Sequence, residues 1–271
     1  LARMGCNVAR LHHLDSWYQP IIDYNHPDGT SRNLNLASVE KIGKLVAELK
    51  ARGIYVILDP WVQRYFKAGD GVASWQEFND NNNFHLHPYV FFDPVMQSLI
   101  QEQVINFWSH LNPHTGLAFK DDPAVALTEA ANEMLMQRGA NHVQVEPYRT
   151  DFINLYESWA LANGGNTGIG DAIITNNYGE NNLQFYIEVV EDFFTGFISA
   201  YRAAGIQVPI NGSNWWAWNW EIFANRVGDF MDVHHYYGGD QIGPGSGLGG
   251  LWVEHPPDLA DTPFGEMGGM A

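Results

Sequence analysis

Apolar positions recur along this chain in two rhythms. Val39, Ile42, Leu45, Val46 and Leu49 follow one another at helical spacing, and so do Phe185, Val189, Phe193, Phe194, Phe197 and Tyr201. Each set predicts a helix with one buried face. Three segments then share a single order of helix end, glycine and strand: "LARMGCNVARLHHLD", "LKARGIYVILDP" and "YRAAGIQVPINGS". Gly5, Gly53 and Gly205 stand where a helix ends in a left-handed residue, a conformation glycine adopts without steric cost. The strands after them are short, nearly continuous apolar runs, as expected of parallel strands covered on both faces.

A further helix is expected from about Val95 to Leu111, stopped by Asn112-Pro113 and followed by the strand "AVALTEAAN". "FMDVHHYY", residues 230 to 237, reads as another strand. Five strands near residues 7, 54, 124, 207 and 230 therefore alternate with helices or connecting segments. This order suits a βα barrel or an open doubly wound sheet. No glycine-rich phosphate loop follows any strand, so the dinucleotide-binding fingerprint is absent. Instead, each strand ends in polar or aromatic groups: Arg10, His12 and His13; Asp59 and Trp61; Asn132 and Glu133; Asn214 and Trp215; His234 and Tyr236. Such groups at the C-terminal ends of several strands are the pattern of a barrel active site. Long loops, 60 to 94, 134 to 182 and 238 to 262, follow these ends.

Composition narrows the possibilities. The 271 residues are 45% hydrophobic and 14% aromatic, enough for one large core. A formal charge of -17 repels phosphate backbones, which argues against nucleic acid as a partner. No run of about 18 uncharged apolar residues is present, so no membrane span is expected. The single cysteine, Cys6, reads as a core residue and cannot form an internal disulfide. Both ends look cut, with "LARMG" reading as the end of a helix and "PFGEMGGMA" as an unfinished element; a single truncated barrel domain over residues 1 to 271 is the expectation.

The chemistry concentrates at "AVALTEAANEM", where an apolar strand stops on Asn132 and Glu133. A carboxyl partly desolvated at a barrel mouth is expected to hold its proton at neutral pH and so to serve as a general acid. On these residues the chain resembles the clan A retaining glycoside hydrolases, the (β/α)8 enzymes that include family 5 cellulases and mannanases. The resemblance implies that the fourth barrel strand ends in Asn-Glu, as "EAANE" does here. Glu133 would then be the acid/base, and Asn132 would contact a sugar 2-hydroxyl. It also implies an Arg on the second strand, matched by Arg10, and a His-x-Tyr on the sixth, matched by His234 and Tyr236. By that numbering the chain holds strands two to six, and the nucleophilic Glu of strand seven lies beyond Ala271. Glu266 in "PFGEMGGM" is a poor substitute, with no β-branched strand before it. Trp61 stands where the family often carries a His.

Retaining hydrolysis needs two carboxyl groups roughly 5 to 5.5 Å apart, one donating a proton while the other attacks the anomeric carbon. Arg10 is expected near the nucleophile, with His234 and Tyr236 hydrogen-bonded to it. Period-two alternation puts Val8, Arg10 and His12 on one strand face. Aromatic side chains would supply stacking surface for pyranose rings. "NGSNWWAWNW" holds four Trp after a strand, Trp215 closest to its end, and Trp17, Tyr18, Trp61 and Trp75 extend the set. The expected ligand is a β-linked glycan, mannan or glucan in type, and the chemistry requires no cofactor and no metal. Two other readings compete: a metal-dependent barrel hydrolase, suggested by His12-His13, "HLH" at 85 to 87 and His234-His235, and a carbohydrate-binding barrel without catalysis.

Overall fold

The computed structural model describes residues 1–16, 20–62, 64–80, 86–134, 136, 140–175, 182–214 and 220–232. In chain order these form strand β1 (Val8–Leu11), helix α1 (Leu36–Lys50), β2 (Tyr55–Leu58), α2 (Trp75–Asp80), α3 (His87–Val90), α4 (Pro94–Ser109), β3 (Leu111–Asn112) and β4 (Leu117–Ala118). Then follow β5 (Val125–Ala131), α5 (Tyr148–Asn163), α6 (Gly170–Thr175), α7 (Leu183–Ala203), β6 (Ile210–Ser213) and a 3-10 turn over Trp220–Val227. The fold is α/β: β1, β2, β5 and β6 lie side by side in that order, every neighbouring pair parallel.

Local chemistry accounts for the helix boundaries. Asn35 accepts the Ser38 amide to cap α1, and Asp93 accepts the Met96 amide to cap α4, with Pro94 at its first turn. Gly5, Gly53 and Gly205 all take positive φ, at 79°, 70° and 77°, as the helix-glycine-strand order requires. α7 buries Phe185, Val189, Phe193, Phe194, Phe197 and Tyr201, the face anticipated from their spacing.

Four expectations change. The segments expected as the loops 60 to 94 and 134 to 182 contain α2 and α3, and α5 and α6. The helix expected to end at Leu111 ends at Ser109, because Leu111 and Asn112 pair with Leu117 and Ala118 in a two-stranded antiparallel ribbon. The strand expected near 207 begins at Ile210; of the one expected over 230 to 237, residues 230 to 232 are not in a strand and the rest lie outside the described residues.

Polar contacts join α1 to the β3–β4 ribbon and, at the N-terminal end of the sheet, to the start of β5. Asn112 donates through Nδ2 to the Gly43 carbonyl (2.9 Å), and its Oδ1 accepts the His114 amide (3.0 Å). A side chain at Gly43 would start 2.6 Å from that Oδ1, so helix and ribbon touch only because residue 43 has none. Lys50 pairs with the buried Asp122 (2.8 Å), tying the end of α1 to the start of β5. Among the described residues no helix is long and apolar enough to cross a membrane.

Candidate functional site

At the opposite end, the C-terminal ends of β1, β2, β5 and β6 bring one cation and several polar groups together. Arg10 on β1 donates through Nε to Asp59 Oδ2 (2.6 Å), just past β2. Its second nitrogen, Nη2, donates to Glu129 Oε2 (2.6 Å) on β5 and to Asn132 Oδ1 (2.9 Å) just past it. Asn214, following β6, completes the ring by donating to Glu129 Oε2 and to Asn132 Oδ1. Two donors thus converge on Asn132 Oδ1 and fix the amide's orientation; its Nδ2 has no protein acceptor among the described residues.

The sheet sets these positions. Parallel register pairs Arg10 with Ile57 and Leu11 with Leu58, so the guanidinium reaches Asp59 one residue beyond the pairing. Register also pairs Glu129 with Asn211 and Ala131 with Ser213, which puts Asn132 and Asn214 level with each other. Thr128 locks the middle of the sheet by donating to the Leu58 carbonyl (2.7 Å). The end of β6 is held by Asn225, whose Oδ1 accepts the Ser213 amide (2.9 Å).

Glu133 follows directly with a left-handed backbone, φ 50°, a conformation worth about 1–2 kcal/mol of strain in a residue with a side chain. Two contacts hold it there. The Glu133 amide donates to Asn214 Oδ1 (2.7 Å), and the Met134 amide donates to Ser213 Oγ (3.0 Å). The residue is half-buried. His13, past the end of β1, is likewise left-handed (φ 57°) and packs edge-on against His12 at 4.4 Å. Both His13 and the buried His87 feel the charge of Glu133.

Electrostatics follow from crowding charge in a dry place. Asp59 is fully buried, and burial, only partly offset by Arg10, raises its pKa. Burial and then the negative charge of Asp59 push Glu129 well above the usual carboxylate range. Burial pulls the Arg10 guanidinium down, but Asp59 and Glu129 together outweigh it and leave it raised. Burial, then Arg10, lowers His13. His87 is lowered to about 4 by burial, with Nε2 2.9 Å from the Val62 carbonyl.

The expected site residues divide. Arg10 and Asn132 are in direct contact, and Glu133 sits beside them. His12 lies past the strand end, solvent-exposed. Trp61, expected to offer a face to sugar, lies in the core instead. It is 0% exposed and packs on Phe193 and Phe197 of α7 at ring distances of 6.1 and 6.2 Å. Trp215, His234 and Tyr236 lie outside the described residues, as do Trp17, Tyr18, His85 and Glu266.

Glu129 was not expected in the site. A carboxylate in the middle of a buried strand must find a partner, and "TEAANE" carries that signal four residues before Glu133. Among the described residues no group of three His, Cys, Asp or Glu side chains is arranged as metal ligands would be.

No protein-family model matches the sequence, and no curated protein does either. Solved structures do. The endo-beta-1,4-mannanase from Thermotoga petrophila superposes with a TM-score of 0.54 at 15% identity, covering 96% of this chain and 53% of that one. The endo-1,4-beta-mannanase from Rhizomucor miehei gives a TM-score of 0.50 at 15% identity, covering 96% of this chain and 67% of that one. The chain thus spans about half the length of the first of these enzymes, and at such identity the likeness is one of fold.

Proposed function

We propose that this chain is the strand-two-to-six portion of a (β/α)8 retaining glycoside hydrolase acting on β-linked mannan-type glycans, with Glu133 as the acid/base. One observation carries the reading: the Asn132-Glu133 strand end is bound to Arg10 on β1, two strands away, and to Asn214 after the adjacent β6, with Glu133 held in a strained backbone. The fold shared with two mannanases supports the substrate class.

The chemistry assigns each group a task. Glu133 protonates the glycosidic oxygen as the bond to the anomeric carbon breaks, then takes a proton from the incoming water. Asn132, its carbonyl oxygen occupied by Arg10 and Asn214, presents Nδ2 to a sugar hydroxyl. Asp59 and Glu129 are both committed to Arg10. By the resemblance, the attacking carboxylate is the Glu that ends the seventh barrel strand. No cofactor enters this scheme.

The test uses Glu133→Gln in the full-length protein. Hydrolysis of β-mannan should fall by about 10²–10⁴-fold, the range a general acid contributes. An aryl glycoside whose leaving group needs no proton should form the glycosyl-enzyme at nearly the wild-type rate. Equal loss on both substrates, or loss on neither, removes Glu133 from the acid/base role.

A further inference from the structure

A cavity of about 430 Å³ that shares no residue with the Arg10 ring lies between two loops. One loop follows β1 and the other follows β2, so both leave the end of the sheet that carries Asn132 and Glu133. Its walls include Asp23, Tyr24, Asn25 and Asn35 from the first loop, with Tyr65 and Lys67 from the second.

Bonds behind the walls hold them in place. Residues 21–23 run antiparallel to 33–35: Ile22 bridges Leu34, the Asp23 amide donates to the Asn33 carbonyl (2.8 Å), and the Asn35 amide donates to the Ile21 carbonyl (2.7 Å). The Tyr24 hydroxyl joins the two loops, donating to the Asp15 carbonyl (3.3 Å) and accepting the Tyr65 amide (3.1 Å). Buried Asp15 adds a second tie by accepting the Val62 amide (3.0 Å). The cavity is thus built by the protein itself, which leaves little to be ordered on binding.

The lining residues keep hydrogen-bonding capacity in hand. Asp23 Oδ1 accepts the Asn25 amide (3.1 Å), and Asn35 Oδ1 accepts the Ser38 amide (3.2 Å). Asp23 Oδ2, Asn35 Nδ2 and the Asn25 side-chain amide have no protein partner among the described residues. The Tyr24 and Tyr65 rings stand at 88° with centroids 5.4 Å apart, so they do not stack on each other. Asp23 and Lys67 set opposite charges in the wall, which favours neither an anion nor a cation. Amide and carboxylate groups beside aromatic rings suit a neutral pyranose, which carries hydroxyls around its edge and C–H groups on its faces. The volume lies near the low end of the roughly 300–1,000 Å³ of small-molecule sites, the size of a mono- or disaccharide unit.

We propose that this cavity is a second carbohydrate-binding site, holding a pyranose unit of a long glycan outside the ring that carries Glu133. The choice of β-mannan as that glycan rests on the hydrolase reading above; the sugar chemistry of the cavity does not.

The test keeps the two apart. In the full-length protein carrying Glu133→Gln, retardation in gels containing β-mannan measures binding. Tyr65→Ala and, separately, Asn25→Ala should each weaken it by about 2–10-fold, the worth of one ring contact or one hydrogen bond. Asn25 is exposed, so its replacement keeps the fold even if Tyr65→Ala disturbs it. With Glu133 present, Tyr65→Ala should raise KM for β-mannan by a similar factor, with kcat and the turnover of a short aryl mannoside unchanged. Unchanged retardation of both variants in mannan and in β-glucan gels would overturn the site, as would an equal loss of turnover on the short aryl mannoside and the polymer. Neither result bears on Glu133. Retardation that depends on Tyr65 in β-glucan alone would uphold the cavity and remove mannan as its ligand. If Glu133→Gln cleaves mannan as fast as the wild type while Tyr65→Ala binds it more weakly, the cavity stands and the acid/base role falls.

Discussion

Arg10→Met removes the one positive charge that Asp59, Glu129 and Asn132 share, at 2.6, 2.6 and 2.9 Å. The size of the effect depends on what is left behind. Asp59 is fully buried, so its carboxylate would be stranded; breaking a buried pair in this way costs about 3–5 kcal/mol. Glu129 and Asn132 each lose a hydrogen bond worth about 1 kcal/mol, though losses within one network do not add simply. A total near 3–5 kcal/mol is a large part of the ~5–15 kcal/mol that holds a typical domain together. Urea unfolding followed by tryptophan fluorescence at pH 7 measures it. The decisive arm is the double variant Arg10→Met/Asp59→Asn. If the penalty is a stranded charge, neutralising Asp59 should return about half of it. A single variant losing less than about 1 kcal/mol, or a double variant less stable than the single, would refute the account.

Two further outcomes are expected. His87, lowered from its ordinary 6.5 to about 4 and buried, is neutral when folded. The unfolded chain takes up a proton between those values while the folded one does not. Stability should therefore drop by about 3 kcal/mol as pH falls from 6.5 to 4, and His87→Gln, which keeps a donor for the Val62 carbonyl, should remove that slope in a pH series of urea melts. Glu133→Gly relieves a left-handed backbone while keeping the amide that Asn214 accepts. It should raise the urea midpoint by the equivalent of about 0.5–1 kcal/mol and abolish hydrolysis by the full-length protein; an unchanged or lower midpoint would show that φ 50° stores no strain.

What could be read from sequence was decided by whether the signal is local. α1 and α7 carry wide apolar faces, and Gly5, Gly53 and Gly205 each mark a helix end by conformation alone. α5 escaped because its buried side is a stripe one residue wide, Tyr148, Phe152, Tyr156 and Ala160, among polar neighbours. β3 and β4 are two residues each, too short for any alternation to appear. In the site, Arg10, Asn132 and Glu133 stood out as polar breaks in apolar strands. The partnership of Arg10 with Glu129 spans 119 positions, and no local pattern announces it. Trp61 is the reverse case. An indole suits a sugar face or a core equally well, and the aromatic run of α7, which decides between them, lies more than 130 residues away.

The contact between Gly43 and Asn112 acts as a feeler gauge set to zero thickness. α1 is 15 residues long, about 22 Å, and Gly43 lies at its midpoint, pressed on the β3–β4 ribbon through Asn112. One methyl group inserted there would act like a shim under a lever. The helix would have to tilt or shift, and its N-terminal tip, where Asn35 ends the loop leading from Arg10's strand, would move with it. A substitution at the middle of α1 would therefore be felt at the end of the sheet that carries the chemistry, without touching any residue there.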